Sequence, residues 1–477
     1  MSLPNDAWGL PLTTSEEAAE AYRQGVDRML SYTLGVDEAL GRAIELDPDF
    51  ALAHAQLGLF YLFRGQGKRA AELANQAHEL AEHVTPREQR HVAILGATAR
   101  GKGSQAPALI DEHLGETPRD APILMQWFGA NFYGGGVEKR ERMLDKFDSL
   151  ASAYGDDDWW FLSWHAFANH EMDQLERARE LVQQSLELRR QNGQAAHAMS
   201  HVFFEEHDFG GGSDFLGDWL TDFPERAGFY RHLTWHQALF LLANGKRSDA
   251  LALHDETIRP GADVQGDALG GVADAASLLW RCRLHDSVGG NGTEHPDWRA
   301  IADLAETAFP RPGTAWVDVH RAMALAALGD EIGLGKLLDG LEEAAERGHT
   351  TAGSVVAPVV EALAAFGHGD YEAAANGLAE VRELLVTLGG SNAQRDVFEE
   401  TLVEARLRAG QTDEAMELLQ ERLDRGATAR DLFRWGRAQT AKSDLEEAKA
   451  SFRRASELWA NGDLDAPEMR ALQEAAA

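Results

Sequence analysis

The sequence predicts an all-α protein built as an α-solenoid, in which pairs of helices stack one on another. Three observations predict this fold: a repeated pattern of glycine and alanine, the near absence of strand signals, and short connections that contain glycine. No sustained run of alternating β-branched residues occurs, as a half-buried strand would require. At about 40 residues per helix pair, the 477 residues correspond to roughly eleven to twelve pairs.

The clearest repeat signal is a pair of small residues twelve positions apart. Gly58 is followed by Ala70, and Gly436 near the C-terminus is followed by Ala448. This is the spacing of the 34-residue tetratricopeptide repeat, in which small residues let helix A of a pair pack closely on helix B. We therefore expect a right-handed superhelix of tetratricopeptide-like pairs.

Weaker copies of the repeat consist of a glycine, a short polar turn and an alanine five positions later, starting at Gly245, Gly369 and Gly410. The glycine is expected to end helix A, and the alanine to begin the packed face of helix B. Glycine-rich stretches at 134–136, 210–212, 289–292 and 389–390 are predicted to be connections. We expect one continuous array over residues 1–459 and a loose, alanine-rich tail over 460–477.

The composition restricts the partners. With 45 basic and 78 acidic residues the net charge is −33, which repels phosphate backbones, so neither nucleic acid nor an anionic membrane is expected as a partner. No apolar run approaches the roughly 18 residues of a membrane span, and no secretory signal is recognisable. The single cysteine, Cys282, suits a reducing compartment, and its apolar neighbours predict a core position. We expect a cytoplasmic monomer or homodimer.

The histidines are the candidate site residues. Residues 165–236 contain seven of the 18 histidines, and His165, His201 and His236 follow one another at 36 and 35 positions, close to one repeat. Equivalent positions of successive repeats stack, so these side chains are predicted to line one groove, with ring nitrogens roughly 8–12 Å apart. Trp164 and Trp235 each precede one of them and would add aromatic walls.

Two of these histidines also belong to pairs four residues apart, His197 with His201 and His232 with His236. Positions i and i+4 share a helix face, which suits two imidazoles that bind one metal ion, and Glu205 continues the first face with a carboxylate. The structural alternative is that histidines on the inner helices hydrogen-bond in a polar groove or pack on tryptophan. The sequence contains neither the HExxH motif of zinc peptidases nor the Gly-x-Ser-x-Gly elbow of serine hydrolases.

Six stretches, taken in order, resemble the tetratricopeptide-repeat protein 38 family over most of the chain, in the form of a bacterial or archaeal member. They are TPREQRH (85–91), HAMSHV (197–202), HLTWHQAL (232–239), DAASLLWR (274–281), DVHRAMA (318–324) and GGSNAQRD (389–396). The resemblance implies an all-helical repeat protein and carries no established biochemical activity. It also implies that the solenoid curls tightly enough to enclose a central cavity. The polar residues of this shared pocket would be His91, His197, His201, His232, His236, Asp274, His320, Arg395 and Asp396.

The chain departs from the family pattern at two positions. Asn392 stands where the family usually has a histidine, and Glu205 is shifted by one residue from the acid that usually follows His201. If either family residue is a metal ligand or a proton carrier, this chain is altered there. These departures weigh against a strict metal site and leave a polar pocket as the expectation.

Two functions remain open. The first is a binding module that takes a peptide, a protein segment or a small molecule in a cavity lined by histidine and tryptophan. In that cavity, a carboxylate could be received by Arg231, Arg281, Arg321 and Arg395. The second is a metal-dependent, hydrolase-like or lyase-like enzyme that uses zinc, iron or manganese; no cofactor is the default expectation. One set of residues is predicted to bind the ligand, and a second, overlapping set is predicted to bind the metal. The ligand-binding set is His91, His165, His197, His201, His232, Trp235, His236, Asp274, His320, Arg395 and Asp396, and the metal set is His197, His201, Glu205, His232 and His236.

Overall fold

The computed structural model describes residues 3–99, 106–134, 136–262, 268–286 and 295–476. Within these ranges the chain is helical, and an isolated β-bridge between Asn5 and Pro11 is the sole extended pairing. The predicted all-α fold of helix pairs is therefore confirmed. None of the described helices is both long and apolar enough to cross a membrane.

The described residues form two compact units. The first contains the chain up to Met199 together with Asp222–Tyr230, and the second contains Ser200–Thr221 and the chain from Arg231 onward. The single continuous array over 1–459 stays a prediction, and the boundary between the two compact units lies within the helix that carries His197 and His201. The helices of the first unit are α1 (Glu16–Leu30), α2 (Val36–Leu46), α3 (Ala51–Phe63), α4 (Gly67–Leu80), α5 (Pro86–Ala99), α6 (Ala106–Glu116), α7 (Ala121–Gly134), α8 (Lys139–Tyr154), α9 (Trp159–His170) and α10 (Leu175–Leu188).

Helix α11 (Gly193–Glu205) contains the boundary between the units, because the second unit begins at Ser200. The remaining helices are α12 (Phe209–Trp219), α13 (Tyr230–Ala243), α14 (Arg247–Leu253), α15 (Ala268–Asp286), α16 (Asp297–Ala308), α17 (Ala315–Leu328), α18 (Glu331–Glu346), α19 (Ala357–His368), α20 (Tyr371–Val381), α21 (Asn392–Ala409), α22 (Thr412–Arg425), α23 (Ala429–Ala441), α24 (Leu445–Leu458) and α25 (Pro467–Ala476). Short 3₁₀ segments occur at Ala81–His83, Leu220–Asp222 and Arg382–Leu388, and π-helical turns at His254–Ile258 and Ala352–Val356.

The small residues of the repeat let the two helices of a pair approach closely. A Cβ atom on Gly58 of α3 would lie 3.2 Å from the carbonyl oxygen of Ala70 and 3.3 Å from the Cβ atom of Leu73, both on α4. Ala70 itself is fully buried. These contacts explain why the sequence keeps a small residue at both positions of the pair.

The glycines of the weaker repeats end their helices as the sequence predicts. Gly245, Gly369 and Gly410 follow α13, α19 and α21 with φ angles of 74°, 84° and 75°, values that favour glycine. The alanines five positions later, on α14, α20 and α22, are fully buried. Each of these turns, and the start of the packed helix after it, therefore follows from the glycine and the alanine of the local sequence.

The glycine-rich stretch at 210–212 is helical, and its prediction as a connection was wrong. The carboxylate of Asp208 accepts a hydrogen bond from the backbone N–H of Gly211 and so caps α12, which starts at Phe209. Gly212 packs against the ring of Phe240, where a Cβ atom would lie 2.7 Å from Cζ. The predicted connections at 135 and 289–292 lie outside the described residues.

The C-terminal segment is a packed helix, in contrast to the loose tail that its alanine content suggested. Met469 and Leu472 of α25 are buried in one apolar cluster with Trp459. The indole N–H of Trp459 donates to the carbonyl oxygen of Ala243 at 2.7 Å. The backbone N–H of Asp463 donates to the carbonyl oxygen of Gly245 at 2.9 Å. These contacts tie the end of the chain to α13.

Helices far apart in sequence contact one another in the second unit, so this unit closes on itself. Arg430 of α23 donates to the carbonyl oxygen of Leu242 of α13 at 3.2 Å. The indole N–H of Trp280 of α15 donates to the hydroxyl oxygen of Thr401 of α21 at 3.0 Å. Helices that are more than a hundred residues apart in sequence therefore form its interior.

Candidate functional site

A group of three histidines, a tryptophan and an aspartate lies together in the second unit and is called the histidine cluster below; its members are His201, His232, Trp235, His236 and Asp274. The rings of His201 and His236 have centroids 4.6 Å apart, and those of His232 and His236 are 4.9 Å apart. The ring distances are shorter than the 8–12 Å predicted for nitrogens of stacked repeats, because the side chains of α11 and α13 point toward one another.

Helix α13 positions three of the five members. His232, Trp235 and His236 are spaced at i, i+3 and i+4, which places them on one helix face. The ring of His232 stacks on that of Trp235 with an interplanar angle of 11°, and His236 meets both rings edge-on, at 81° and 78°. Mutual ring packing therefore fixes the orientation of each imidazole.

Helix α15 supplies the acid and a hydroxyl group. Nδ1 of His232 lies 3.1 Å and 3.2 Å from the two carboxylate oxygens of Asp274, whose side chain is 2% exposed. One turn later on the same helix, the hydroxyl oxygen of Ser277 accepts a hydrogen bond from the indole N–H of Trp235 at 3.1 Å. The contact with Asp274 through Nδ1 fixes the orientation of the His232 ring.

Arg281 borders the cluster but its donors are used by the protein. Its guanidinium lies over the ring of Trp235, 5.8 Å from the centroid, and donates to the carbonyl oxygens of Ser277 at 3.4 Å and Ala393 at 2.8 Å. Burial lowers the pKa of this guanidinium. The expectation that Arg281 would receive a ligand carboxylate finds no support in these contacts.

His320 on α17 is a buried neutral imidazole close to the cluster. Its Nδ1 donates to the carbonyl oxygen of Trp316 at 2.6 Å, and Nε2 is buried without a hydrogen-bond partner among the described residues. Burial lowers the pKa of His320 to about 4; the nearby charge of Asp274 opposes this shift, and that of Arg281 adds to it. The ring is therefore uncharged at neutral pH.

Arg395 and Asp396 act in helix structure and ion pairing. Ser391 and Gln394 form a capping box at the start of α21, and Arg395 donates to the side-chain oxygen of Asn392 at 2.7 Å and to the carbonyl oxygen of Gly390. Asp396 pairs with Arg422 at 2.6 Å. Burial raises the pKa of Asp396, but Arg422 and Arg281 outweigh that effect and lower it.

His91 lies in the first unit, in a buried network around Asp120. One carboxylate oxygen of Asp120 lies 3.0 Å from Nδ1 of His91, 2.9 Å from Nε2 of His113 and 2.8 Å from Arg87, which also pairs with Asp6 at 3.2 Å. His91, His113 and Asp120 are fully buried. The guanidinium of Arg87 thus balances the charge of Asp120 within this network.

The stretch 85–91 as a whole anchors the N-terminal segment. Glu88 is fully buried, and its carboxylate accepts hydrogen bonds from the backbone N–H and the hydroxyl of Thr13 at 2.8 Å and 2.5 Å. The backbone N–H of Thr85 donates to the same carboxylate at 3.0 Å. This motif therefore joins α5 to the chain that precedes α1.

The other two predicted histidines of the first unit pack on aromatic rings. Nε2 of His165 lies 2.7 Å from a carboxylate oxygen of Asp148, and its ring packs between Phe147 and Phe161. Burial lowers the pKa of His165. His197 stacks on Phe167 at 5.4 Å with an interplanar angle of 20°. The contacts of His165 thus lie within the first unit, and its place in one groove with His201 and His236 stays a prediction.

The predicted metal residues fall on two helices, α11 and α13. His197 and His201 lie one turn apart on α11, and Glu205 is the last residue of that helix. Only His201, His232 and His236 of these belong to the histidine cluster. The histidine cluster therefore offers three imidazoles, and its one carboxylate, that of Asp274, is bound to His232.

Sequence reasoning missed a buried array of ion pairs between α21 and α23. Glu404 accepts from Arg437 at 2.8 Å and 3.0 Å and from Arg408 at 2.7 Å, and Glu400 lies 3.4 Å from Arg434. The spacing of these residues in the sequence could have indicated the ion pairs. Glu400 and Glu404 lie four residues apart on one helix, and the arginines at 430, 434 and 437 recur with helical spacing on another.

These features define a helical-repeat protein with a histidine cluster in its second unit, and no protein-family model matches the chain. Among solved structures, similarity extends to a human IFIT1 dimer with m7Gppp-AAAA (14% identity, 94% of this chain and 96% of that chain, TM-score 0.42). A tetratricopeptide repeat protein from Parabacteroides merdae matches at 14% identity over 59% of this chain and 98% of its own, with a TM-score of 0.29. The APC/C hetero-tetramer Cut9–Hcn1 matches at 13% identity over 97% of both chains, with a TM-score of 0.36. Similarity this low carries no argument about function.

Proposed function

We propose that this protein binds a polar small molecule or a peptide segment at the histidine cluster, through the imidazole of His232. The observation that carries the proposal is the contrast in exposure within the cluster. The side chain of His232 is 16% exposed, whereas Asp274 is 2% exposed and Trp235 and His236 are fully buried. A buried acid and a buried indole thus support one imidazole that reaches the surface.

The support fixes what His232 can recognise. Asp274 holds the His232 ring through Nδ1, and the exposed part of the ring offers a polar edge to a ligand hydroxyl, amide or carboxylate. Stacking on Trp235 limits ring rotation, so little conformational entropy is lost when the ligand binds. This arrangement favours a binding protein whose ligand is polar.

The test begins with a screen of amino acids, tripeptides and sugars for compounds that raise the melting temperature of the full chain. Hits are then titrated by calorimetry into the wild type, His232→Ala and Asp274→Asn. Loss of one hydrogen bond at an ordered site predicts an affinity about three- to tenfold weaker for His232→Ala. Asp274→Asn should also weaken binding, because a neutral amide holds the His232 ring less firmly than the carboxylate does.

His165→Ala is the matched control, because His165 is also bound to an aspartate and packed on aromatic rings, but in the first unit. Its affinities should equal those of the wild type. Hits that bind the wild type and His232→Ala equally would refute the proposal. Elemental analysis addresses the metal-dependent alternative: stoichiometric zinc, iron or manganese, lost in a His201→Ala/His236→Ala variant, would favour it.

A further inference from the structure

A second group of ligand-type side chains lies in the second unit, away from the histidine cluster, at the junction of α14 and α16. His254 and Asp255 belong to the π-helical turn His254–Ile258 that directly follows α14. His295 and Asp297 flank the start of α16. Four possible ligand atoms, one from each residue, all lie within 4.8 Å of one another.

The distances between these atoms differ from those of a hydrogen-bonded network. Nδ1 of His254 lies 3.1 Å from Asp255, which is a hydrogen bond. It lies 3.7 Å from Asp297, and Nε2 of His295 lies 3.8 Å from Asp255. Nδ1 of His295 accepts from the backbone N–H of Asp297 at 3.3 Å and lies 4.0 Å from the carboxylate of the same residue. The separations of 3.7, 3.8 and 4.0 Å are too long for hydrogen bonds. In a tetrahedral zinc site with bonds of about 2.0–2.2 Å, ligand atoms lie about 3.3–3.6 Å apart, and the four atoms here, all within 4.8 Å of one another, lie slightly farther apart than that.

The charges of the group also fit a divalent cation. Among the described residues, neither carboxylate is paired with a lysine or an arginine. Two aspartates balance the two positive charges of the ion, and two neutral imidazoles complete a set of nitrogen and oxygen ligands that suits zinc and its neighbours in the first transition series. The net charge of −33 raises the local concentration of cations near the surface.

The site is preorganised on one side and open on the other. The side chain of His254 is fully buried and the ring is held 5.0 Å from that of His295, edge to face. The side chain of Asp255 is 62% exposed and that of His295 is 24% exposed, so an ion can approach from solvent. π-Helical turns are frequent at functional sites, because the extra residue redirects a side chain.

We propose that His254, Asp255, His295 and Asp297 bind a divalent transition-metal ion, with zinc as the best fit. The ion cross-links the end of α14 to the start of α16, and its binding free energy adds to the stability of the second unit. Nε2 of His254 is buried and has no hydrogen-bond partner in the part of the chain that the structure describes, and it carries the proton when Nδ1 binds the ion. We therefore expect weaker binding than at a closed structural zinc site, whose histidines have second-shell acceptors.

The test compares zinc binding by the full chain and by an Asp255→Asn/His295→Gln variant after removal of metal with a chelator. Both substitutions are at accessible side chains, and circular dichroism checks that the variant is folded. Titration with zinc chloride alone should show one more bound ion per chain in the wild type, or an affinity at least about tenfold higher at one site. Zinc should also raise the melting temperature of the wild type more than that of the variant.

Asp148→Asn/His165→Gln is the matched control, since it removes an aspartate–histidine pair that belongs to none of the groups of three or more ligand-type side chains among the described residues. It should bind zinc like the wild type. Equal zinc stoichiometry and affinity in the wild type and Asp255→Asn/His295→Gln would overturn the proposal, as would a wild type that binds no zinc. Because neither variant touches the histidine cluster, these results are independent of ligand binding there.

Discussion

Glu404 provides the sharpest test of the buried ion pairs in the second unit. Its side chain is 1% exposed and is bound by Arg437 and Arg408. Burial raises the pKa of Glu404, but the arginines outweigh burial and lower it from 4.5 to about 2. A shift of this size corresponds to about 3 kcal/mol of stability at neutral pH. Breaking a buried ion pair costs about 3–5 kcal/mol, because the partner charge stays buried and uncompensated.

We therefore expect Glu404→Gln to lower the free energy of unfolding of the second unit by about 3–5 kcal/mol at pH 7. Urea denaturation followed by circular dichroism measures this change. Glu421→Gln is the matched control: Glu421 also pairs with an arginine, Arg382 at 2.7 Å, but its side chain is 55% exposed. Exposed pairs contribute about 0–1 kcal/mol, so this variant should stay close to the wild type.

The pH dependence follows from the sign of the shift. The folded-state pKa of Glu404 is lower than its unfolded value, so its contribution is complete above about pH 4.5 and is lost as the pH falls toward 2. The difference in stability between the wild type and Glu404→Gln should therefore shrink below pH 4.5. Equal stabilities of Glu404→Gln and Glu421→Gln at pH 7 would refute the reasoning.

Two further predictions concern the first unit. Gly41→Ala in α2 should raise the free energy of unfolding by about 0.5–1 kcal/mol, because a Cβ atom there meets no neighbour within 4 Å. Gly58→Ala should bring no such gain, because its Cβ atom would crowd the carbonyl oxygen of Ala70. Thermal denaturation measures both variants, and equal gains would contradict this reasoning. Glu88→Gln should speed proteolysis of the segment before α1, since Thr13 loses its charged acceptor, whereas Glu82→Gln at an exposed position should leave the cleavage rate unchanged.

Local chemistry was predictable from the sequence. The glycine at the end of a helix and the alanine at the start of the next follow from backbone conformation and from close helix packing, and Gly410 with Ala415 satisfies both. The shared face of His232, Trp235 and His236 likewise follows from helical spacing. These features depend on residues within one helix or one turn, so the repeat pattern of the sequence is enough to predict them.

Contacts between distant residues were not predictable in the same way. His165 shares a repeat position with His201, but Asp148 and Phe147 on the preceding helix decide its environment. Asp120, which no motif indicated, gathers Arg87 and His91 from α5. Glycine disfavours helices, yet the cap at Asp208 and the contact between Gly212 and Phe240 hold 210–212 in α12. Tertiary packing decided each case.

The closure of the second unit on itself has a consequence for how this chain can change during evolution. An open solenoid gains or loses repeats at little cost, because each repeat depends only on its neighbours. Here Arg430 must reach Leu242, and Trp280 must reach Thr401, over separations of more than a hundred residues. Insertion of one helix pair between them would displace both contacts at once. The number of repeats is thus fixed by geometry, so substitution of residues, rather than duplication of repeats, is the route by which this unit can diverge.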